Sequence, residues 1–221
     1  MHWLAQTIHF VDFEGSVGSG ILEYGVVSLR RGEIVETTTR LCRPTGRVRP
    51  EDAAVHGIEA GAVREEEPFA DEFERFARLR ESGPLAAHFA QAENTMIKSV
   101  WAYPRQVPDF ARPGEVATEW GPWVDTGRLY PQFYPSLESA KLESLVQAFG
   151  LQEKLDEHAE KMCPVDRRFY HAALYDALAG ALLLLQLGEV PEIAGQSLPW
   201  LLAMSTLDPG KRQAMTQGDL F

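Results

Sequence analysis

Two carboxylates stand inside an apolar run. The segment HFVDFEGS, residues 9–16, carries Asp12 and Glu14 where the neighbouring residues predict a buried strand. Side chains of a strand alternate between faces, so positions i and i+2 point the same way. Asp12 and Glu14 therefore share one face, while Val11 and Phe13 fill the other. Two carboxylates held a few ångströms apart repel unless a proton or a cation sits between them. A fold that keeps this strand either turns the pair to water at a strand end or supplies a divalent metal.

The rest of the chain predicts where that strand lies. TIHFVDFE, GILEYGVVSL and IVETTTRLC read as three strands, the last two joined as a hairpin through RRGE. The Pro-, Gly- and charge-rich stretch RPTGRVRPEDAAVHGIEAGAV reads as a surface loop with short helical turns. PFADEFERFARLR then sets Phe69, Phe73, Phe76 and Leu79 at helical intervals. GPLAAHF reads as a short buried strand, followed by a helix from about Glu93 to Trp101 and an irregular, proline-rich insert up to GP at 121–122. WVDTGRLY reads as a further strand, SAKLESLVQAFG as a helix ended by Gly150, and DRRFYHAALYDALAGALLLLQLG as a long helix ended by Gly188. Strands first, then strands alternating with helices, predict an α/β fold with one mixed sheet covered by helices.

The chain has 221 residues, 45% of them hydrophobic, enough for one sizeable domain with a real core. MHWLAQTIHF lacks a basic stretch followed by a long apolar one, and no run approaches the roughly eighteen apolar residues of a membrane span. The expectation is a cytoplasmic protein with no membrane partner. Cys42 and Cys163 stand far apart without CxxC spacing, which predicts structural thiols rather than a disulfide framework or a zinc site. A net charge of −11 argues against binding nucleic acid through the overall field. Acids gathered around metals lose part of that charge when metal binds, and Arg105, Arg128, Arg167 and Arg168 are local candidates for phosphate contacts.

Further acids follow. Glu93, in HFAQAEN, comes just after the short strand at the start of a helix, a place the helix dipole favours for an acid. HAALYD contributes His171 and Asp176 near the start of the long helix. Asp176 lies between Tyr175 and Ala177, a costly setting without a partner. Asp125, in VDTG, is placed to cap the turn that follows it.

In this order and spacing the segments resemble the DEDD superfamily of 3′-to-5′ exonucleases, in its histidine-bearing, DnaQ-like branch, over residues 6–188. VDFEGS is similar to the first motif, D-x-E. HFAQAE is similar to the second, H-N-A-x-F-D, and HAALYD to the third, H-x-A-x-x-D. VHGI and VDTGRLY…KLESLVQAFGL resemble the family's intervening segments. The resemblance implies a ribonuclease H-like mixed sheet of about five strands flanked by helices, an exonuclease domain over 1–190, and a C-terminal helix and tail over 191–221. It also implies two divalent ions, Mg²⁺ or Mn²⁺, about 3.5–4 Å apart. Asp12, Glu14, Glu93 and Asp176 would be the ligands and His171 the general base, a role suited to an imidazole titrating near neutral pH. Gly15 and Ser16, after the first motif, would lie near the terminal nucleotide, and His56, in VHGI, would be either a loop residue near the 3′ end or a structural one.

Two departures stand out. Glu93 occupies a place where the family has aspartate, with Phe89 and Ala92 instead of Asn and Phe, and no aspartate lies between Asp71 and Asp109 to substitute for it. Gly15-Ser16 replaces the common Thr-Thr. The chain ends in QGDLF, which resembles the bacterial sliding-clamp binding pentapeptide through Gln217, Asp219, Leu220 and Phe221, with Gly218 departing from it. The expected function is hydrolysis of DNA 3′ ends in proofreading or repair beside a clamp. The alternatives are an RNA 3′ exonuclease of the same family and a catalytically weakened, clamp-tethered nucleic-acid binding module.

Overall fold

The computed structural model describes residues 2–206 and 210. The predicted meander forms as β1 (Thr7–Ser16), β2 (Gly20–Arg30) and β3 (Glu33–Leu41), paired antiparallel in sequence order. A short helix α1 (Pro50–His56) punctuates the loop after it, and a 3₁₀ turn at Phe69–Glu72 leads into α2 (Phe73–Ser82). β4 (Leu85–Ala87) pairs parallel to β1, and α3 (Gln91–Val100) follows. The proline-rich insert carries a two-stranded ribbon, β5 (Val107–Pro108) and β6 (Val116–Ala117). β7 (Val124–Asp125) pairs parallel to β4 and completes a five-stranded mixed sheet of order β3-β2-β1-β4-β7. The strand that carries the two acids is thus the central one.

Alternation along β1 divides the core. Ile8 and Phe10 belong to one apolar layer, and Val11 and Phe13 to the other, where Phe69, Phe76 and Trp120 are packed. The first layer is filled by α7 (Ala173–Gly188), whose residues are buried on nearly every side, as its apolar composition requires. Covering it come α4 (Thr126–Phe133), α5 (Leu142–Ala148), α6 (Gln152–Met162), α8 (Pro191–Ala194) and α9 (Leu198–Met204). Leu198, Leu201 and Leu202 of α9 join the same core. The insert is tied down by Arg80, fully buried, whose guanidinium donates to the carbonyls of Pro108, Trp120 and Gly121 at 2.9–3.0 Å.

Two sequence expectations are corrected, and one segment without an expectation is helical. WVDTGRLY is a strand only at Val124–Asp125. From Thr126 the chain is helical, because Leu129, Tyr130 and Phe133 fall on one helical face that packs into the α7 layer. The long helix begins at Ala173 rather than near Asp166, since His171 takes a left-handed φ of 67° that no helix continues through. QEKLDEHAEKM, unassigned from sequence, is α6. Its buried residues are Leu155 and Ala159, so a charged segment carries only a thin apolar row. Both cysteines are free and buried, and no helix of the described residues is long and apolar enough to cross a membrane.

Candidate active site

Asp12 and Glu14 leave the end of β1 on the α7 side, continuing the row that begins with Ile8 and Phe10. The cross-strand partner of Asp12 is Gly25. A Cβ there would lie 2.3 Å from the carbonyl of Ala173, so only glycine lets the start of α7 rest directly on β2. That approach brings Asp176, in the first turn of α7, against the strand acids. Just past Glu14 the pairing register shifts, and Gly15 adopts φ 124° with no room for a side chain beside the carbonyl of Gly20. The bulge turns the strand end away immediately after the second acid.

Glu93 comes from the other layer. It sits in the first turn of α3, buried, and its carboxylate accepts from the Phe13 amide. The start of α3 is set by Asp125, whose two carboxylate oxygens accept from the amides of Phe89 (3.0 Å) and Ala90 (3.1 Å). Phe89 is held in a left-handed conformation, φ 59°. The sequence placed Asp125 as a cap for the turn that follows it; the carboxylate is drawn down by the Arg128 amide of that turn and also reaches across to the second motif. His88 braces the same turn. Its Nε2 donates to the Ala140 carbonyl (2.8 Å) and its Nδ1 lies 2.9 Å from the Thr126 hydroxyl; burial lowers its pKa to about 4, which keeps the ring neutral near neutral pH and makes Nδ1 the acceptor of that bond.

His171 stands exposed before α7, and its N–H donates to Asp176 Oδ2 at 3.0 Å. Ligand atoms of Glu14, His171 and Asp176 all lie within 4.8 Å of one another. Asp12 and Glu93 adjoin this trio closely enough for each to feel the charge of Asp176. Burial is the largest cause pushing every one of the four acids up. Asp12 goes well above the ordinary carboxylate range, with Glu93, Asp176 and Glu14 adding repulsion. Glu14 rises to about 8, opposed in part by Arg167. Glu93 rises to about 8 against the pull of the Phe13 amide, and Asp176 to about 7 against that of the His171 amide. Three buried oxygens, Asp12 Oδ2, Glu93 Oε2 and Asp176 Oδ1, have no hydrogen-bond partner. Oxygens sealed from water without partners cost free energy unless a cation meets them. A set made of hard oxygen donors suits Mg²⁺ or Mn²⁺.

The remaining sequence candidates are placed as follows. Ser16 exchanges hydrogen bonds with Ser19 across the turn after Gly15. His56 is buried, its Nδ1 accepting from the Ile58 amide and its Nε2 without a partner. Gln217, Asp219, Leu220 and Phe221 lie outside the described residues. Of the arginines named for phosphate contacts, Arg105 pairs with Glu74 and Arg168 donates to the carbonyls of Glu160 and Cys163. Arg128 lies over the Phe89 ring, and Arg167 is buried. Arg167 is bonded to Glu23, a residue the sequence reading missed. The available signal was the same as for Asp12: an acid, between Leu22 and Tyr24, inside a strand with no polar alternation.

No protein-family model matches the chain, and no curated protein matches it in sequence. Solved structures do. Exonuclease X in complex with 5′-overhanging duplex DNA superposes with a TM-score of 0.63 at 20% identity, over 88% of this chain and 99% of that one. The nuclease domain of 3′hExo, a DEDDh family member bound to rAMP, gives 0.62 at 15% identity over 89% and 100%. Exonuclease I of E. coli in complex with a dT13 oligonucleotide gives 0.62 at 14% identity, this chain spanning 41% of its length. At these identities the likeness is one of fold: the chain has the ribonuclease H-like architecture of these exonucleases, a mixed five-stranded sheet flanked by helices.

Proposed function

We propose that the protein is a metal-dependent 3′-to-5′ exonuclease that releases nucleoside monophosphates from DNA 3′ ends. The observation that carries this reading is the set of three partnerless buried carboxylate oxygens, on Asp12, Glu93 and Asp176, beside an exposed histidine. In this reading Asp12, Glu14, Glu93 and Asp176 hold two divalent ions. When bound, such a pair activates water and offsets charge on the scissile phosphate and the departing 3′ oxygen. His171 takes the proton of the attacking water as the bond from phosphorus to the 3′ oxygen breaks. Its ring is aimed by a backbone tied to Asp176, so the base and one ligand move as a unit. Burial of the acids keeps bulk water from competing for the cations.

Cleavage of a 5′-labelled single-stranded DNA oligonucleotide, with its RNA counterpart, in Mg²⁺ and in Mn²⁺ tests the reading. The expected result is a ladder shortening from the 3′ end that is lost in Asp12→Ala. A stronger ladder on RNA moves the substrate class to RNA, in line with the rAMP in the 3′hExo structure. No cleavage in either metal would leave the clamp-tethered binding module.

The tail QGDLF supports a role in replication repair or proofreading. Leu220 and Phe221 would anchor in an apolar pocket of a bacterial sliding clamp while Gln217 hydrogen-bonds beside them. Tethering to a clamp on DNA raises the local concentration of ends, which offsets the handicap of an acidic protein. A tail peptide that fails to retain a clamp in a pull-down removes this part of the reading.

A further inference from the structure

We infer that Glu23 and Arg167 form a buried positioning pair that sets the main chain of His171. The inference rests on the exonuclease reading above. Glu23 lies on β2 directly across from Glu14, is 2% exposed, and belongs to none of the three motif segments. Arg167, 7% exposed, meets it with two nitrogens, Nε at 3.2 Å from Oε1 and Nη2 at 2.5 Å from Oε2. Glu23 Oε2 also accepts from the amide of Ala173, the first residue of α7. Arg167 has donors left over, and it sends them to two functional segments. Nη1 donates to the His56 carbonyl at 2.6 Å, and Nη2 to the His171 carbonyl at 3.3 Å.

These bonds matter because His171 is strained. Its φ of 67° is unfavourable for a residue with a side chain, and such a conformation lasts only when its surroundings over-determine it. Here both main-chain groups of His171 are held. Asp176 takes the N–H and Arg167 takes the C=O. The guanidinium cannot stay in this interior alone, and Glu23 is the charge that keeps it there. The pair therefore links β2, the end of α1 and the start of α7 at the residue that bears the base. It touches neither the acids' partnerless oxygens nor the imidazole ring, so it holds the main chain of His171 without contacting substrate; because its charges also reach Glu14 and Asp176, cleavage is read at saturating Mn²⁺, where altered metal affinity no longer limits the rate.

The test is single-turnover cleavage of the 5′-labelled DNA oligonucleotide in saturating Mn²⁺ by Arg167→Gln and Glu23→Gln. Each is made in the natural chain and in His171→Asn, chosen because asparagine tolerates positive φ. We expect each change to lower the rate on the order of tenfold in the natural chain, as for loss of a charge-assisted hydrogen bond. KM for the oligonucleotide should hold within about twofold, the loss lying in the chemical step. In the His171→Asn background the same changes should cost nothing further, since groups acting through one residue are not additive. Arg167→Lys, which keeps the charge but not the fork, should recover only part of the rate. Equal losses in both backgrounds, or natural rates in both variants, would overturn the inference while leaving the nuclease intact. Circular dichroism accompanies each variant; loss of the fold in both Gln variants would identify a pair that merely holds the structure, and would also overturn it. An inert natural chain removes the exonuclease reading itself and this inference with it.

Discussion

Asp12, Glu14, Glu93 and Asp176 share a volume that does not tolerate four negative charges, and this governs how the metal-free protein responds to pH. Glu14 and Glu93, pushed up to about 8, and Asp176, to about 7, keep protons that their unfolded counterparts release near pH 4. The folded state therefore binds more protons than the unfolded one, and stability falls as pH rises through the folded values. His9 and His88, lowered to about 4 by burial, act with the opposite sign but only below 6.5. In chelator, we expect the thermal midpoint to drop by about 5 °C or more between pH 6.5 and 8. Saturating Mn²⁺ should abolish or reverse this slope, because ionised acids are what a cation binds. A midpoint in chelator that stays flat over this window contradicts the electrostatics.

At the scale of elements, α3 decides where the fourth acid stands. Glu93 reaches the strand end from a first turn whose position is set by Asp125. Asp125→Ala leaves the Phe89 and Ala90 amides unpaired, the latter buried, and should cost about 1–3 kcal/mol, with a parallel fall in nuclease rate; melting and cleavage are read together, and a full rate in the variant would separate Asp125 from the site. Glu93 itself is one methylene longer than the aspartate of the family it resembles. We expect Glu93→Asp to shift the half-saturating metal concentration and the preference for Mn²⁺ over Mg²⁺, and coincident titration curves would refute that. Much of this was legible beforehand. Acids in apolar runs marked Asp12, Glu14 and Asp176, whereas Glu93 at its strand-helix junction read by itself as an ordinary first-turn acid and became a candidate only through the family resemblance. The helix at Thr126–Phe133 was not, because a short segment rich in β-formers, WVDTGRLY, satisfies strand and helix patterns alike until its packing partner is known.

For the whole molecule, the site exists because α7 lies flat on the sheet. Gly25 makes that possible, standing beside Asp12 under the start of the helix. Gly25→Ala forces the two apart and should destabilise the fold by about 1–3 kcal/mol. Its larger effect should be on cleavage, because the shift separates Asp176 and His171 from Asp12 and Glu14. A variant with lowered midpoint and full activity would show that the helix can lift without disturbing the acids.

The chain's own pattern determined most of the order of elements and the two-sided central strand, and it marked acids in apolar settings, since alternation, spacing and the cost of a buried charge are properties of neighbours in sequence; grouping four acids and a histidine as one candidate site came from the resemblance of three segments to a family. Only the tertiary structure decided that Glu23 and Arg167 pair across 144 positions, that Arg167 is buried and serves the His171 carbonyl, and that His171 precedes its helix in a strained turn. Those features depend on which segments α7 presses together, and the energy of a long-range ion pair or a held backbone angle leaves no trace in the periodicity of either segment alone.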